Sequence, residues 1–439
     1  MLESPRMAKR RIAPGGSING QVELPGDKSI SHRYAIISAL AEGTSELSNY
    51  ASAADCQSTL ACLRQLGVKI EKSDGVVRVF GRGLDRFEQS RRPLNAENSG
   101  STMRMLAGVL AGQPFTTTIT GDDSLRRRPM RRIMEPLRQM GAEIQSQEGD
   151  RAPLQIRGGK LRAIDYTLPI PSAQVKSAIL LAGLYADGIT TARESVSTRD
   201  HTELALLEFG AELERSRGVI RVHPRPRLTA RKLTIPSDLS TAVFLIAATL
   251  VLPGSSLLLN NVGLNPTRAR VLDFLVWGGA AIRVPSLQSR DGELVGSVAV
   301  THSALQGGMI SGAQVAEMID ELPMLAALGP FTQQGIEIHD AQELRVKESD
   351  RIAALSAGLR QMGAQVEEFP DGMRVEGRSA EKLRGTTIDP HGDHRIAMAL
   401  AVAALGAKGQ TAIHDAECVG VSFPEFFTTL ERLRGLEKQ

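Results

Sequence analysis

One pattern in this chain recurs six times, and it limits the possible folds more than any other feature. Each copy is an Ala/Leu-rich helical run, a turn glycine and then a segment in which apolar and polar residues alternate, with neighbouring copies roughly 66 to 81 positions apart. The turn glycines are Gly43, Gly112, Gly188, Gly254, Gly335 and Gly409. Helical and strand-like segments that alternate in this way predict an α/β (α+β) fold of six similar units.

A second pattern places a glycine after a helical run and before a strand-like segment, as in QMGAEI and QMGAQV. Glycine at that position is typical of a helix C-cap. The copies carry Gly67, Gly141, Gly210, Gly279 and Gly363. A sixth copy would fall near Gly435, so little chain is left for the strand that should follow it.

The N-terminal segment SINGQVELPG, residues 17–26, looks like a strand without a unit of its own. We therefore expect this strand to complete the last unit. The arrangement predicts two domains of three units each, residues 1–22 with 237–439 in one and residues 23–236 in the other. Two chain crossings would form a hinge, and the cleft between the domains is where a ligand would bind.

The predicted first helices of the six units begin with capping residues, and four of these starts also contain positive charges. The sequences are PGDKSISHR (residues 25–33), NSGSTMR (98–104), PSAQVK (171–176), PSDLSTA (236–242), IDELP (319–323) and GDHR (392–395). Ser, Asn and Asp are ordinary N-caps, so capping alone explains them. Capping does not explain cations in first turns, where they oppose the helix dipole, namely Lys28, Arg33, Arg104, Lys176 and Arg395. Cations beside free helix amides indicate sites for phosphate or carboxylate groups.

Two further charged clusters lie outside these helix openings. LRRRPMRR, residues 125–132, would suit a solvated basic face or a nucleic-acid patch, but no aromatic residues or extended basic run accompany it. ELRVKESDR, residues 343–351, is compatible with an ordinary surface helix start. It also places a carboxylate among cations, which suits proton transfer beside an anionic substrate.

Composition excludes several classes of function. With 42% hydrophobic, 23% charged and 4% aromatic residues, the 439-residue chain has the composition of a globular protein of more than one domain. The net charge of +3 is too small to indicate a polyanion ligand, so we expect no nucleic-acid partner. The N-terminus lacks a secretory apolar region, and no apolar run reaches about 20 residues, which predicts a cytoplasmic protein without a membrane span.

The sequence contains no constellation typical of metal or cofactor chemistry. Cys56, Cys62 and Cys418 follow no metal-ligand spacing, and the eight histidines form no HxxxH pair. There is no GxSxG elbow, no GxxxxGK[ST] loop and no GxGxxG motif that opens a helix. We therefore expect neither a metal nor a cofactor. We also expect a monomer.

Eight motifs occur together and in order: LPGDKSISHR, NSGSTMR, RRRPM, PSAQVK, STRDHTE, RVKESDR, GDHRIAM and SFPEFF. This set resembles the 5-enolpyruvylshikimate-3-phosphate synthase family over nearly the whole chain. The resemblance implies a two-domain inside-out α/β barrel of six βαβαββ repeats, three per domain, with the active site in the interdomain cleft. It implies transfer of the enolpyruvyl group of phosphoenolpyruvate to the 5-hydroxyl of shikimate 3-phosphate, in chorismate and aromatic amino acid biosynthesis. Inorganic phosphate would leave from a tetrahedral intermediate.

The resemblance also implies roles for the residues at matching positions. Asp320, Glu348 and Lys28 would be catalytic, with Asp320 the base for the attacking hydroxyl and Glu348 the proton donor to the methylene of phosphoenolpyruvate. Residues 23–236 would form the shikimate 3-phosphate side, and the other domain the phosphoenolpyruvate and catalytic side. The residues expected to bind shikimate 3-phosphate are Lys28, Ser29, Arg33, Ser172, Ala173, Gln174, Arg199, Asp320 and Lys347. Those expected to bind phosphoenolpyruvate are Lys28, Gly100, Arg128, Gln174, Arg351 and Arg395.

The chain departs from some family members, and a related enzyme remains an alternative. Val421 stands before SFP where some members have a lysine, so that cation is missing or supplied elsewhere. Members with alanine in place of Gly100 tolerate the phosphoenolpyruvate mimic glyphosate, so Gly100 predicts inhibition by glyphosate. The alternative is UDP-N-acetylglucosamine enolpyruvyl transferase, which has the same fold and donor. That enzyme normally has a cysteine or aspartate in the loop occupied here by SLRRRP, and a KN pair in place of Lys28–Ser29.

Overall fold

The computed structural model describes residues 9–436, which form two compact units. The terminal unit contains residues 9–24, Ser237–Gln288 and residues 294–436. The middle unit contains Pro25–Pro236 and the short segment Ser289–Glu293. Residues 1–8 and 437–439 belong to the ends of the predicted domain 1–22 with 237–439, and the prediction about a secretory segment also falls on residues 1–8. These parts of the two predictions lie outside the described residues.

Short strands and helices alternate along the whole described chain. The strands are β1 (Arg10–Ile12), β2 (Asn19–Glu23), β3 (Glu42–Ser48), β4 (Lys69–Ser73), β5 (Val76–Arg82), β6 (Leu94–Asn95), β7 (Thr116–Thr120), β8 (Glu143–Gln147), β9 (Arg151–Arg157), β10 (Asp165–Thr167), β11 (Thr190–Arg193), β12 (Leu213–Ser216), β13 (Val219–Val222), β14 (Lys232–Thr234), β15 (Ser256–Gly263), β16 (Ala281–Arg290), β17 (Glu293–Thr301), β18 (Gly308–Ile310), β19 (Ile336–Ile338), β20 (Val366–Phe369), β21 (Gly372–Val375), β22 (Thr387–Ile388) and β23 (Thr411–Ile413).

The α-helices are α1 (Lys28–Leu40), α2 (Ala54–Gln65), α3 (Gly100–Ala111), α4 (Asp123–Arg127), α5 (Arg131–Gln139), α6 (Ala173–Gly183), α7 (His201–Glu208), α8 (Leu239–Val251), α9 (Arg270–Trp277), α10 (Ala313–Met318), α11 (Leu322–Ala327), α12 (Arg351–Gln361), α13 (His394–Leu405) and α14 (Phe426–Leu433). Within the described part of the chain, four short 3-10 helices cover Gly329–Phe331, Gln342–Val346, Ala380–Lys382 and Ala416–Val421. No helix of residues 9–436 combines the length and apolar composition needed to cross a membrane.

The six sequence repeats correspond to six small sheets with one topology. In the middle unit the strand orders are β14-β3-β5-β4, β6-β7-β9-β8 and β10-β11-β13-β12. The other three sheets are β16-β17-β15-β2, β18-β19-β21-β20 and the shorter β1-β23-β22. In each sheet the strand after the first helix of the repeat has one parallel and one antiparallel neighbour, as β3 has β14 and β5. The prediction of a six-unit α/β fold is confirmed.

The prediction that the N-terminal strand completes the last unit is wrong. The segment SINGQVELPG forms β2, which pairs in parallel with β15 in the fourth sheet and not with the last unit. The last unit is instead completed by β1, which pairs antiparallel with β23. The reason is symmetry between the halves of the chain, because β2 gives β15 the parallel neighbour that β14 gives β3.

Each unit is built inside out, with its most apolar helices at the centre. In α8 every residue from Leu239 to Val251 is buried, and α1, α3, α6, α11 and α13 are buried over most of their length. A helix that is hydrophobic on all sides must be surrounded by protein, so the sheets are left to cover the outside. The two large cores are separate, one for each unit.

The glycines predicted to end helices do so in the left-handed region. Gly67, Gly141, Gly210, Gly279 and Gly363 have φ between 84° and 109°. An L side chain at that backbone conformation would clash with its own carbonyl, which is why glycine recurs there. Gly435 follows α14 with φ 66°, so the sixth copy ends its helix in the same way.

The contact of α3 with α6 allows a direct test of this packing. A Cβ built on Gly108 would lie 2.3 Å from the backbone oxygen of Ala178, so Gly108→Ala must push the two central helices apart. We expect a loss of about 1–3 kcal/mol in the free energy of unfolding, measured by urea denaturation. Gly159→Ala is the matched control, because its Cβ would meet nothing within 4 Å. Equal stability of the two variants would contradict the close packing.

Candidate active site

The three central helices of the middle unit begin with side-chain caps. Asp27, Ser99 and Ser172 each accept the backbone N–H of the residue three positions later, at 2.9, 3.1 and 3.4 Å. The caps satisfy one amide of each helix start and leave others available. The capping interpretation of these motifs is therefore confirmed. Whether the remaining amides can also bind an anion depends on the polar side chains beside each helix start.

Lys28, the first residue of α1, forms an ion pair with Asp55 in the first turn of α2. The Lys28 Nζ lies 3.0 Å from Asp55 Oδ2, and both side chains are largely buried. Burial, together with the charges of Lys28 and Arg33, lowers the pKa of His32 well below its ordinary value. The positive charge at this helix start therefore comes from Lys28 and Arg33 while the His32 imidazole is neutral.

Arg33 joins the first and third repeats. Its Nε donates to Thr202 Oγ1 at 2.6 Å, and Nη2 donates to Ser177 Oγ at 2.9 Å. The Nη1 group donates back to the carbonyl of Ser29 at 2.8 Å. Because the guanidinium is buried and bonded at all three nitrogens, Arg33 brings the start of α1 against α6 and α7.

The second and third repeats meet through Gln174. Its Oε1 accepts from Arg104 Nη1 at 2.6 Å, and its Nε2 donates to Ser101 Oγ at 2.9 Å. Gly100, the first residue of α3, lies beside this pair, since a Cβ there would be 2.8 Å from Arg104 Nη1. The structure thus brings NSGSTMR and PSAQVK into one cluster.

The guanidinium group of Arg128 lies close to Gly100. Its Nη2 donates to Asn98 Oδ1 at 2.7 Å and to Ser124 Oγ at 3.1 Å. Its Nη1 would be 3.6 Å from a Cβ on Gly100. Arg128 is buried, although its neighbours in the basic run are exposed.

The rest of the basic run is partly neutralised by nearby acids. Arg126 forms an ion pair with Asp123, and Arg131 Nε lies 2.8 Å from Glu135 Oε1. Pairs of this kind within one helix leave a mixed surface and not a continuous positive face. The structure therefore favours the solvated-face interpretation of these outer arginines.

Lys176 is paired with two carboxylates of the protein, which corrects its interpretation as an anion-attracting cation. Its Nζ lies 2.9 Å from Glu194 Oε2 and 2.7 Å from Glu203 Oε1, and all three side chains are at most 3% exposed. The anions that compensate this cation are thus carboxylates of the protein itself. Arg199, at the end of the segment that starts with Glu194, remains partly exposed.

In the terminal unit, three distant motifs meet at Asp320. The Asp320 carboxylate lies 3.9 Å from Arg351 Nη1 and 3.9 Å from Arg395 Nη2. Arg395 Nη1 also donates to the backbone oxygen of Asp320 at 2.7 Å. IDELP, RVKESDR and GDHR are therefore parts of one cluster.

Arg351 is the centre of this cluster. It is the first residue of α12 and is 2% exposed. Its Nη2 donates to Glu348 Oε2 at 2.6 Å, and its Nε donates to Asp393 Oδ2 at 2.8 Å. Ser349 Oγ also donates to Asp393, at 3.1 Å. One guanidinium therefore fixes the position of Glu348 relative to Asp320.

Burial and charge shift the pKa values here in opposite directions. Burial alone would raise the pKa of Asp393, but the Arg351 guanidinium holds it below its usual range. Burial alone would lower the pKa of Arg351, but Asp393 and Glu348 raise it. Desolvation lowers the pKa of Lys347 below its ordinary value, although the charge of Asp320 opposes this shift. In this cluster the charged forms of Asp393 and Arg351 are thus stabilised, whereas Lys347 binds its proton less tightly than an ordinary lysine.

The predicted site residues are divided between the two units. The middle unit contains Lys28, Ser29, Arg33, Gly100, Arg128, Ser172, Ala173, Gln174 and Arg199. The terminal unit contains Asp320, Lys347, Glu348, Arg351 and Arg395. Chemically, the first set offers helix amides, hydroxyls and cations for anions, and the second offers carboxylates among cations for proton transfer. Their contacts with ligands stay predictions.

Sequence reasoning missed the residues that hold these groups in place. Asp55 and Glu194 gave no signal, and Glu203 was noticed only as part of a motif, because each meets its cation only through the packing of separate elements. Asp393 was noticed only as a helix cap, and Asn98 only as part of a motif. No group of three or more His, Cys, Asp or Glu side chains within residues 9–436 is arranged to hold a metal ion.

Known proteins share this fold. A solved structure of the enolpyruvyl transferase NikO from Streptomyces tendae superposes with a TM-score of 0.78, covering 98% of each chain, but at 18% identity it supports the fold alone. A solved structure of EPSP synthase from Acinetobacter baumannii superposes with a TM-score of 0.86 at 38% identity, covering 97% of this chain and 98% of that one. The architecture is therefore that of the enolpyruvyl transferase class.

Sequence comparisons narrow the class to one family. The family model of EPSP synthase (3-phosphoshikimate 1-carboxyvinyltransferase) matches residues 12–430. The 3-phosphoshikimate 1-carboxyvinyltransferase of Solibacter usitatus is 56% identical over 424 residues, which is 97% of this chain and 99% of the relative. That of Koribacter versatilis is 52% identical over 428 residues, again 97% and 99%. The chain belongs to the EPSP synthase family.

The buried pair of Arg351 and Asp393 predicts a pH-dependent stability. Asp393→Asn keeps the shape and removes the charge, which should cost about 3–5 kcal/mol at neutral pH because Arg351 loses its fully buried carboxylate partner. The pKa of Asp393 is lowered in the folded state, so its contribution is present above the unfolded value of about 3.9 and is lost as the pH falls through the folded value. Urea denaturation from neutral to acid pH should therefore show the difference from wild type shrinking.

The control for this series is Asp273→Asn, whose side chain is 69% exposed in a surface pair with Arg270. It should change stability by no more than about 0.5 kcal/mol at any pH. A difference between wild type and Asp393→Asn that stays constant with pH would contradict the prediction.

Proposed function

We propose that this protein transfers the enolpyruvyl group of phosphoenolpyruvate to the 5-hydroxyl of shikimate 3-phosphate and releases inorganic phosphate. The observation that carries the proposal is the match of residues 12–430 to a family described by this reaction. The two clusters of site residues support it, because both substrates are phosphorylated carboxylates. Together they bring about six negative charges near neutral pH, which cations and helix amides must compensate.

We assign the phosphate of shikimate 3-phosphate to the start of α6 and to Arg199. The Ser172 hydroxyl, the Ala173 amide and the Arg199 guanidinium would bind it. Ser172 caps α6 through its oxygen, so its hydroxyl proton can be donated to a phosphate oxygen. The other residues that would bind shikimate 3-phosphate are Lys28, Ser29, Arg33, Gln174, Asp320 and Lys347.

We assign phosphoenolpyruvate to a set of guanidiniums and to the start of α3. Arginine suits carboxylate and phosphate because its planar fork donates two parallel hydrogen bonds. Gly100 would let the ligand approach the α3 amides closely. The full proposed set is Lys28, Gly100, Arg128, Gln174, Arg351 and Arg395.

Proton transfers are assigned to Asp320 and Glu348. Asp320 would take the proton of the attacking hydroxyl, and Glu348 would protonate the methylene carbon and later act as base. Because Glu348 Oε2 accepts from Arg351 at 2.6 Å, we place the transferred proton on Oε1. Arg351 then holds the carboxyl group in one orientation during addition and elimination.

Two substitutions test these roles. Glu348→Gln removes the proton donor, and Lys28→Ala removes a cation from the α1 start. Each should lower turnover by about 100-fold or more, which corresponds to several kcal/mol of transition-state stabilisation. The assay is phosphate release from phosphoenolpyruvate with shikimate 3-phosphate, and UDP-N-acetylglucosamine as the acceptor tests the alternative enzyme.

Glu367→Gln, an exposed change on β20 of the same unit, is the matched control and should leave turnover unchanged. Near-normal turnover of Glu348→Gln or Lys28→Ala would remove that residue from its role. Phosphate release with UDP-N-acetylglucosamine and none with shikimate 3-phosphate would reject the proposed acceptor.

Glyphosate inhibition is a further expectation of the proposal. The wild type should be inhibited in competition with phosphoenolpyruvate. In Gly100→Ala the new Cβ would lie 2.8 Å from Arg104 Nη1, so the methyl group must displace that guanidinium or occupy ligand space. We expect its inhibition constant to rise about 10-fold or more, as for one misplaced methyl group.

Gly159→Ala, which meets no atom within 4 Å, is the control for this measurement. An inhibition constant that is the same in Gly100→Ala and in wild type would show that glyphosate does not approach Gly100.

We also propose that the protein acts as a monomer in the cytoplasm. The proposed substrates are small soluble anions, and no proposed role requires a second copy. Light scattering of the purified protein measures its mass directly, for comparison with 47.2 kDa for one chain.

A further inference from the structure

A buried ion cluster in the middle unit has no part in the roles assigned so far. Lys176 Nζ lies between Glu194 Oε2, at 2.9 Å, and Glu203 Oε1, at 2.7 Å. The three side chains are 1%, 3% and 1% exposed. Such a cluster is costly to desolvate and is weak evidence for stability, so its presence calls for another explanation.

The cluster connects the start of α6 to the segment that carries Arg199. Lys176 belongs to the first turn of α6, and its Nζ also donates to the backbone oxygen of Thr198 at 3.3 Å. Glu194 Oε1 accepts from the Thr198 amide at 3.2 Å and from the Thr198 hydroxyl. The residue immediately before Arg199 is therefore attached to α6 through Lys176.

The residues after Arg199 are attached to α6 as well. Glu203, in the first turn of α7, contacts Lys176, and Thr202 Oγ1 lies 2.6 Å from Ser177 Oγ. Ser177 in turn donates to the carbonyl of Ala173 at 2.6 Å. Arg199 is thus held from both sides at a set distance from the first residues of α6.

The charge of the cluster excludes direct attraction of a phosphate by Lys176. Two carboxylates face one ammonium group, so the cluster has no positive charge to offer. Glu203 Oε2 is buried and has no hydrogen-bond partner among the described residues. The contribution of Lys176 to anion binding is therefore geometric.

We propose that Lys176 is a positioning residue for the phosphate of shikimate 3-phosphate. By holding the Arg199 segment against α6, it sets the spacing of Arg199 relative to Ser172 and the Ala173 amide. This inference rests on the proposed function. Because an error of about 1 Å in such a site can cost 100-fold, the loss of the cluster should weaken phosphate recognition selectively.

The test compares two variants with wild type. Lys176→Met leaves two buried carboxylates without a cation, and the cost of burying them unpaired can by itself prevent folding. The triple variant Lys176→Met, Glu194→Gln, Glu203→Gln removes all three charges with little change of volume. It leaves no unpaired buried charge, so the effect of losing the ion cluster can be measured on a folded protein. For each folded protein, kcat and both KM values are measured, and shikimate, which lacks the phosphate, replaces shikimate 3-phosphate as a second acceptor.

We expect the triple variant to raise the KM for shikimate 3-phosphate about 10- to 100-fold, with kcat and the KM for phosphoenolpyruvate changing less than about threefold. Its preference for shikimate 3-phosphate over shikimate, as a ratio of kcat/KM values, should fall by a similar factor. Leu63→Ala, a core truncation at the far end of α2, is the stability control. It should lower the melting temperature and leave that ratio unchanged.

An unchanged preference ratio in the triple variant, or an equal rise of both KM values, would overturn the positioning role. These outcomes are distinct from failure of the proposed function, in which the wild type would release no phosphate from shikimate 3-phosphate and phosphoenolpyruvate. In that case the inference falls with the function on which it rests.

Discussion

The structure depends on central helices that are apolar on every side. When α1, α3 and α6 bury their side chains in the middle unit, their first backbone amides are the polar groups that the helices cannot satisfy themselves. Caps at Asp27, Ser99 and Ser172 satisfy some of these amides, and the others remain available to anions. Anion-binding capacity is thus a by-product of the way in which the core is built.

Charged groups near these helix starts must be compensated, and the protein does so in two ways. At Lys176 and Arg351 the counter-charges are its own buried carboxylates, which bind the cation in one orientation. Arg128 and Arg104 also donate to amide and hydroxyl oxygens, and these hydrogen bonds orient the two guanidinium groups. Both kinds of contact hold the cation in a defined orientation.

Much of the fold and of the site could be predicted from local patterns. The six units followed from the repeat, and the helix starts followed from caps and cations within a few residues of each other. The errors concern choices among similar partners. The segment that forms β2 was assigned to the last sheet, because parallel pairing of distant strands leaves no local trace in the sequence. Lys176 was assigned to a ligand, because a first-turn position does not show which way a long side chain turns.

The sequence by itself determined the six-unit α/β architecture, the positions of the capped helices and the family to which the chain belongs. Each of these is encoded by residues close together in the chain or by motifs in a specific order. Only the tertiary structure decided which carboxylates meet Lys28, Lys176 and Arg351, and therefore how each cation is oriented. The physical reason is that Asp55, Glu194 and Asp393 reach their partners through the packing of separate elements of secondary structure, which fixes distances that no sequence spacing records.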